Sequence, residues 1–256
     1  IIRTKNEDQW IDHSLSMIFQ QSYKNFEVII VDNFSDDHTI EIARRYPIKE
    51  VVYIKKFKPG LAINKGIGHS TGHFIVCLSA HCVPENTEWL SRLVKSIKCE
   101  ENIAAVYGRQ LPVSYTSDID KRDLFNVFGL DRRIQIKDYF FHNANSIFKR
   151  HLWEIENFDE NVTNIEDRVW AKVIINLGYK IIYEPEAAVF HYHGLNQGNV
   201  PKRAKGVVSI IDKVDRTILR QIPETMKPNK VKISCLIPVV EKISKDIIQY
   251  LLSLQM

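Results

Sequence analysis

Residues 26–32 read FEVIIVD, a short β-rich apolar run ending on an acidic residue, and NFSDD follows as a turn and N-cap cluster before the amphipathic HTIEIARRY. This is strand, loop, helix, and the chain repeats it. VVYIK (51–55) reads as a strand, LAINKGIGHS as a helix, and HFIVCLS (73–79) as a continuous apolar strand of the kind buried on both faces of a sheet. The next helix is expected over Pro84 to Ile97, with proline in its first turn and Trp89, Leu90, Leu93, Val94 and Ile97 along one face. Units of this sort, joined right-handedly, give an α/β fold with a mostly parallel central sheet and helices on both faces. Ligands on such sheets lie beyond the carboxyl ends of the strands.

The middle is less regular: AAVYGRQLPV predicts a strand and DKRDLFNVFG a short helix. Order returns at Asp167 to Leu177, a helix stopped by Gly178, and KIIYEPEAAVFHYHG predicts a strand, a turn at Pro185 and a second strand. One echo links the two ends. IIRTKNEDQWIDHSLSMIFQQ and LIPVVEKISKDIIQYLLSLQM set Ile2, Leu15, Phe19 and Gln20 opposite Ile237, Tyr250, Leu254 and Gln255 at a constant offset. The expected organisation is a first domain over 1–200, a basic helical linker over 201–230, and over 231–256 the start of a second, similar α/β domain.

A buried sheet needs apolar mass, and 256 residues at 45% hydrophobic supply it. No run reaches the ~18 apolar residues of a membrane span and no secretory leader opens the chain, so the expected address is cytoplasmic. Cys77, Cys82, Cys99 and Cys235 are too few and too scattered for a disulfide framework, and no CxxC points to zinc. The net charge of +4 is mild, but Lys202, Arg203, Lys205, Lys213, Arg216, Arg220, Lys227 and Lys230 crowd one stretch. That stretch reads either as a solvated helix face or as a contact for anionic lipid at the inner membrane surface or an acidic acceptor. It lacks interleaved aromatics, which argues against nucleic acid.

The candidate ligand contacts stand at strand ends. Asp32 closes the first full strand, Thr4, Lys5 and Asn6 close the fragment before it, and Ser79-Ala80-His81 closes the third. A helix N-terminus after such a strand favours anions, and an aspartate there can accept from a base or ribose, though a plain N-cap is the commoner role. The stretch FHNANSIFKR (141–150) sets His142, Asn143 and Asn145 among phenylalanines. In a strand the two asparagines share a face, so they are expected to meet an external sugar unless they satisfy a turn.

In order and spacing, IIRTKNE, FEVIIVDNFSDD, GLAINKGIGHSTGHFIVCLSAHCVP, FFHNANSIFKR and FDENVTNIEDRVWAKVIINLGYKIIYEPEAAVFHYHG resemble the bacterial glycosyltransferases of family 2 with a GT-A, Rossmann-like fold, over residues 1–195. The resemblance implies that Thr4 to Glu7 and Asp32 hold the base and ribose of a nucleotide sugar, with Asn64 and Lys65 near its diphosphate. It implies that Ser79 to His81 stand at the family's DxD metal motif. Here no carboxylate is present, and His81 with His191 and His193 is the expected ligand set for Mn²⁺ or Mg²⁺; a metal-free site in which histidines and basic side chains meet the phosphates is the alternative. Glu166-Asp167 matches the acidic dyad, with Asp167 taking the acceptor proton, and a single base facing the leaving group implies inversion.

The expected activity is therefore transfer of a sugar from a UDP-sugar or other NDP- or CMP-sugar to a glycan or lipid-linked hydroxyl in polysaccharide or capsule synthesis. Two other readings compete. A nucleotidyltransferase would want a Gly-rich basic loop after the first strand, which TKNEDQ lacks. A binding module that kept the fold without turnover is the third.

Overall fold

A computed structural model of the chain describes residues 1–192 together with Ser209 and Ile210. Chain contacts separate Ile1–Ile211 from Asp212–Met256, and every described residue lies in the first unit. The expected linker over 201–230, apart from Ser209 and Ile210, and the expected second domain over 231–256 lie outside the described residues, as does His193.

The first half alternates as its sequence predicts: β1 (Ile2–Thr4), α1 (Asp8–Phe19), β2 (Ile29–Asp32), α2 (Thr39–Ala43), β3 (Glu50–Tyr53), α3 (Pro59–Gly68) and β4 (Phe74–Ser79). There follow β5 (Cys82–Pro84), α4 (Trp89–Ile97), β6 (Ile103–Pro112), α5 (Asp118–Val127), β7 (Arg133–Gln135), β8 (Asn145–Lys149), α6 (Arg150–Ile155), α7 (Glu166–Asn176) and β9 (Lys180–His191). The strands form one sheet in the order β3-β2-β1-β4-β8-β6-β9-β5, with β7 pairing β9. Strands β3, β2, β1 and β4 are mutually parallel, β8 runs against β4 and β6, and β9 is parallel to β6.

This order brings the ligand-binding rim into view. From β1 the chain winds outward to β2 and β3, then returns to place β4 on the other side of β1, so the direction of winding switches between β1 and β4. A crevice opens at such a switch, beyond the carboxyl ends of the strands. The carboxyl ends of β1, β2, β4, β6 and β9 and the amino ends of the reversed β8 and β5 share that rim.

Alternation along the strands divides the core. On one face Ile30, Leu78, Ile147 and Val106 meet Ile11, Leu15 and Ile18 of α1 and Leu90, Leu93 and Ile97 of α4. On the other, Ile75, Cys77, Phe148 and Tyr107 meet Ile63 and Ile67 of α3, Leu124 of α5, Leu152 of α6 and Trp170 and Ile174 of α7. Each such large side chain contributes roughly 1.5–3 kcal/mol on burial. Gly178, at φ +90°, ends α7 in the left-handed conformation its residue type permits.

Two local expectations are corrected. Pro84 does not open a helix: it ends β5, an edge strand where a missing N–H is tolerated, and α4 begins five residues later at Trp89. Pro185 makes no turn either, because β9 runs unbroken from Lys180 to His191. Its register against β6 jumps from Gly108↔Glu184 to Gln110↔Val189, and the proline falls in the resulting bulge, outside the ladder.

Candidate active site

Strand β1 and the loop after it meet the ends of β2 and β4, the start of α7 and the turn that carries His81. Thr4 pairs in register with Asp32, Arg3 pairs with Ser79, the Arg3 guanidinium reaches Glu166 at 3.2 Å, and Glu7 Oε1 lies 2.8 Å from His81 Nδ1. Residues far apart in sequence thus converge on one edge. Asp32 is fully buried, and its two carboxylate oxygens accept from the Ser35 N–H (2.8 Å) and hydroxyl (2.5 Å), so it pins the 33–36 turn. Asn6, at φ +54°, accepts from the Asp36 N–H, and Lys5 Nζ donates to the Phe34 carbonyl. Thr4 Oγ1 is buried and has no hydrogen-bond partner among the described residues.

The acidic pair is held by the segment that sets polar side chains among phenylalanines. Asn143 stands in the turn before β8 rather than in the strand, and its backbone N–H donates to Asp167 Oδ2 at 2.9 Å. Asp167 Oδ1 accepts from the Arg168 N–H at 2.9 Å, so two amides fix the carboxylate at the start of α7. The Asn143 side chain donates to Glu166 Oε1 at 3.5 Å and accepts from the Ser146 hydroxyl. Just before the pair, Ile165 takes φ +52°, a genuine outlier for a β-branched residue and the kind of strain that collects at functional sites.

Burial, and then the neighbouring Asp167 charge, push the Glu166 carboxyl up to about 7 against the opposing pull of Arg3. The folded chain therefore keeps a proton that the unfolded chain releases near its ordinary value of 4.5, and stability falls as pH rises from there to about 7. The full shift corresponds to about 3 kcal/mol. Glu166→Gln should accordingly gain stability relative to the parent between pH 5 and pH 8, by several degrees of melting temperature. Equal melting differences at the two pH values in a calorimetric scan would contradict this.

Histidines occupy the far end of the rim. His81 lies in the turn between β4 and β5, and His191 ends β9 opposite Cys82. The two imidazoles stack at 5.1 Å with planes 9° apart. The Gln110 amide joins His191 to His142: its oxygen accepts from His191 Nδ1 at 2.6 Å, and its nitrogen donates to His142 Nδ1 at 3.1 Å. With Nδ1–H of His191 so engaged, Nε2 carries the lone pair. Donor atoms of His81, Cys82 and His191 lie within 4.8 Å of one another, and Glu7 stands against His81. The two imidazoles fit a divalent cation, and Glu7, hydrogen-bonded to His81 Nδ1, orients that ring from outside the ligand set.

Not every expected residue reaches the rim opening. Asn145 is fully buried; its oxygen accepts from Trp89 Nε1 (2.9 Å) and its nitrogen donates to the carbonyls of Arg109 (3.0 Å) and Ala187 (2.8 Å). It is a core tie, and the expectation that it meets a sugar is corrected. Asn143, 1% exposed, likewise serves the acids rather than lining an open site. His142 is half-buried, with Nδ1 turned inward to Gln110 and the Ala144 N–H. Asn64 departs from its expected place near a diphosphate: its amide holds Trp153 Nε1 and both backbone groups of Phe158, while Lys65 is exposed on α3. Ser79 ends β4, with its N–H on the Ala144 carbonyl. Arg3 and Gln110 were missed, though both are polar residues interrupting apolar strands. A cavity of about 440 Å³ lined by Val28, Ile29, Phe74 and Trp89 lies at the amino ends of the strands and shares none of the expected site residues.

Comparison with known proteins identifies relatives of the chain. Glycosyl transferase family 2 matches residues 1–155. The chain is 30% identical over 186 residues to the O-antigen chain rhamnosyltransferase WbaN of Salmonella anatum, covering 68% of this chain and 59% of that protein. It is 25% identical over 188 residues to a GalNAc(5)-diNAcBac-PP-undecaprenol beta-1,3-glucosyltransferase of Campylobacter jejuni, covering 68% of this chain and 58% of the relative. The chain thus spans a little under three fifths of the length of these relatives. A mannosyltransferase of Pyrobaculum calidifontis, solved with GDP-Man and Mn²⁺, superposes with a TM-score of 0.66 at 22% identity, over 87% of this chain and 64% of that one, which establishes the GT-A fold. The chain belongs to glycosyl transferase family 2.

Proposed function

We propose that the chain is an inverting glycosyltransferase that moves a sugar from a nucleotide-sugar donor to a hydroxyl of a glycan or lipid-linked acceptor in surface polysaccharide synthesis. The observation that carries this reading is the Asp167 carboxylate, fixed by two backbone amides on the rim where β1, β2 and β4 end. In the transfer the acceptor oxygen bonds to the anomeric carbon as its proton passes to Asp167, and the bond from that carbon to the phosphate oxygen breaks with its electron pair leaving on the diphosphate. Asn143 holds the base in line, and Arg3 keeps Glu166 against it. Thr4, Lys5, Asn6, Glu7 and Asp32 form the donor end of the site, with Ser79 beside it.

His81 and His191 would hold Mn²⁺ or Mg²⁺, with Glu7 orienting His81, and the cation when bound would stabilise the charge developing on the leaving diphosphate. The archaeal neighbour's GDP-Man and Mn²⁺ and the Campylobacter relative's undecaprenol-linked substrate support the classes of donor, cation and acceptor. Among the described residues no helix is long and apolar enough to cross a membrane. A lipid-linked acceptor would bring the enzyme to the inner face of the membrane, and the basic run between Lys202 and Lys230 supplies charge for that contact.

Release of nucleoside diphosphate from UDP-, GDP- and dTDP-sugars, and of CMP from CMP-sugars, with and without Mn²⁺, tests the proposal. Turnover of at least one donor is expected; binding without turnover under any cation would favour a non-catalytic module. His191→Ala should weaken Mn²⁺ binding, read by paramagnetic resonance, about tenfold or more. Unchanged binding together with activity in chelator would assign the diphosphate to the imidazoles instead.

A further inference from the structure

Two aromatic side chains stand exposed beside the donor end of this rim. Phe34 is 51% and Tyr53 45% exposed, and their rings lie 5.3 Å apart at 37°. Phe34 follows Asp32 by two residues, and Tyr53 is the register partner of Asp32 on β3. Both therefore sit at the carboxyl ends of adjacent strands.

The Phe34 ring is not exposed because its loop is loose. The turn is pinned by the Ser35 bonds to Asp32, by the Asn33 N–H on the Thr4 carbonyl (3.1 Å), and by Lys5 on the Phe34 carbonyl (2.5 Å). Phe34 moreover takes φ +53°, a left-handed conformation that costs an L-residue roughly 1–2 kcal/mol and suits glycine. A phenylalanine held in strain, with its ring in water, improves neither the backbone nor the core. Such outliers cluster at active sites and ligand clamps. Thr4 adds a second sign, a buried hydroxyl with no hydrogen-bond partner among the described residues, at the register position beside Asp32.

We propose that Phe34 and Tyr53 form an aromatic shelf on which the nucleobase of the donor stacks. This rests on the donor reading above and adds residues that would set which base is accepted. A flat heteroaromatic ring matches an aromatic shelf because stacking rewards π-surface whatever the pattern of edge groups. The sugar and phosphates would then run from the shelf along β1 toward His81.

The test is calorimetric titration of the whole chain, in excess Mn²⁺, with UDP, GDP, dTDP, CDP and CMP and with inorganic pyrophosphate. Phe34→Gly removes the ring at a backbone position glycine prefers, so the turn keeps its shape. It should weaken the preferred nucleoside diphosphate about tenfold and leave pyrophosphate unchanged, Tyr53→Thr should act in the same direction, and Phe34→Trp should restore affinity. Full nucleotide affinity in Phe34→Gly overturns the shelf and leaves the donor reading standing. Equal losses for nucleotide and pyrophosphate overturn it too, since they mean a damaged turn. Failure of the parent chain to bind any of these nucleoside diphosphates, or CMP, overturns the donor reading, and the shelf with it.

Discussion

Asp167→Asn is expected to lower sugar transfer by about a hundredfold or more, the usual scale for removing a general base. Asparagine has the same shape, and its side-chain oxygen can still accept from the Asn143 or Arg168 N–H. What it loses is the ability to take the acceptor proton. The loss should therefore appear in kcat, with donor affinity nearly unchanged and only a modest fall in melting temperature from the one backbone N–H left without an acceptor. Parent-like kcat in the variant would remove Asp167 from the role of base, and a large fall in melting temperature would make the effect one of folding. Donor hydrolysis in the absence of acceptor should fall as well, since attacking water needs the same base.

Asn145→Ala is expected to destabilise the fold by about 3 kcal/mol or more, because it strands several buried groups at once. Trp89 Nε1 loses its acceptor, and the carbonyls of Arg109 and Ala187 lose their donor. These partners come from α4, β6 and β9, so one amide ties together a helix and two strands. For a domain of this size the melting temperature should drop by roughly 6–12 °C. Gly108 lies directly against the same tie: a Cβ there would come 2.0 Å from the Ala187 oxygen and 2.4 Å from Asn145 Nδ2. Gly108→Ala should therefore destabilise comparably, and a melting curve close to the parent's for either variant would contradict the description of this core contact.

The alternating half of the fold was legible because its signals are local. Apolar runs such as FEVIIVD and HFIVCLS are short and bounded by turn residues, so periodicity and punctuation agree there. Where the reading failed, the deciding fact was long-range. Pro84 resembles a helix start until β9 is known to pair with it, and Pro185 resembles a turn until the β6 register shows a bulge.

The site divides in the same way. Glu166, Asp167, Asp32 and His81 could be picked out as strand-end or helix-start residues, and the structure gathers them on one rim. The asparagines were read as sugar contacts because a polar residue among phenylalanines needs a partner. The partner exists, but it is internal: Trp89 for Asn145, and the acid pair for Asn143. Sequence spacing cannot distinguish an outside ligand from a side chain 56 positions away, the separation of Trp89 and Asn145. Arg3 escaped notice because a lone arginine in a three-residue strand looks like an edge residue until Glu166 is seen across from it.

The central claim is that the donor nucleotide lies on the carboxyl-end rim, between the loops that follow β1 and β2 and the histidines. Amide shift mapping on the ¹⁵N-labelled chain, titrated with the nucleoside diphosphate it binds best, measures this directly. The account predicts shifts at residues 4–7, 32–36 and 79–81, reaching the start of α7. Shifts gathered instead around Val28, Phe74, Trp89 and Lys98, at the cavity on the opposite end of the sheet, would contradict it.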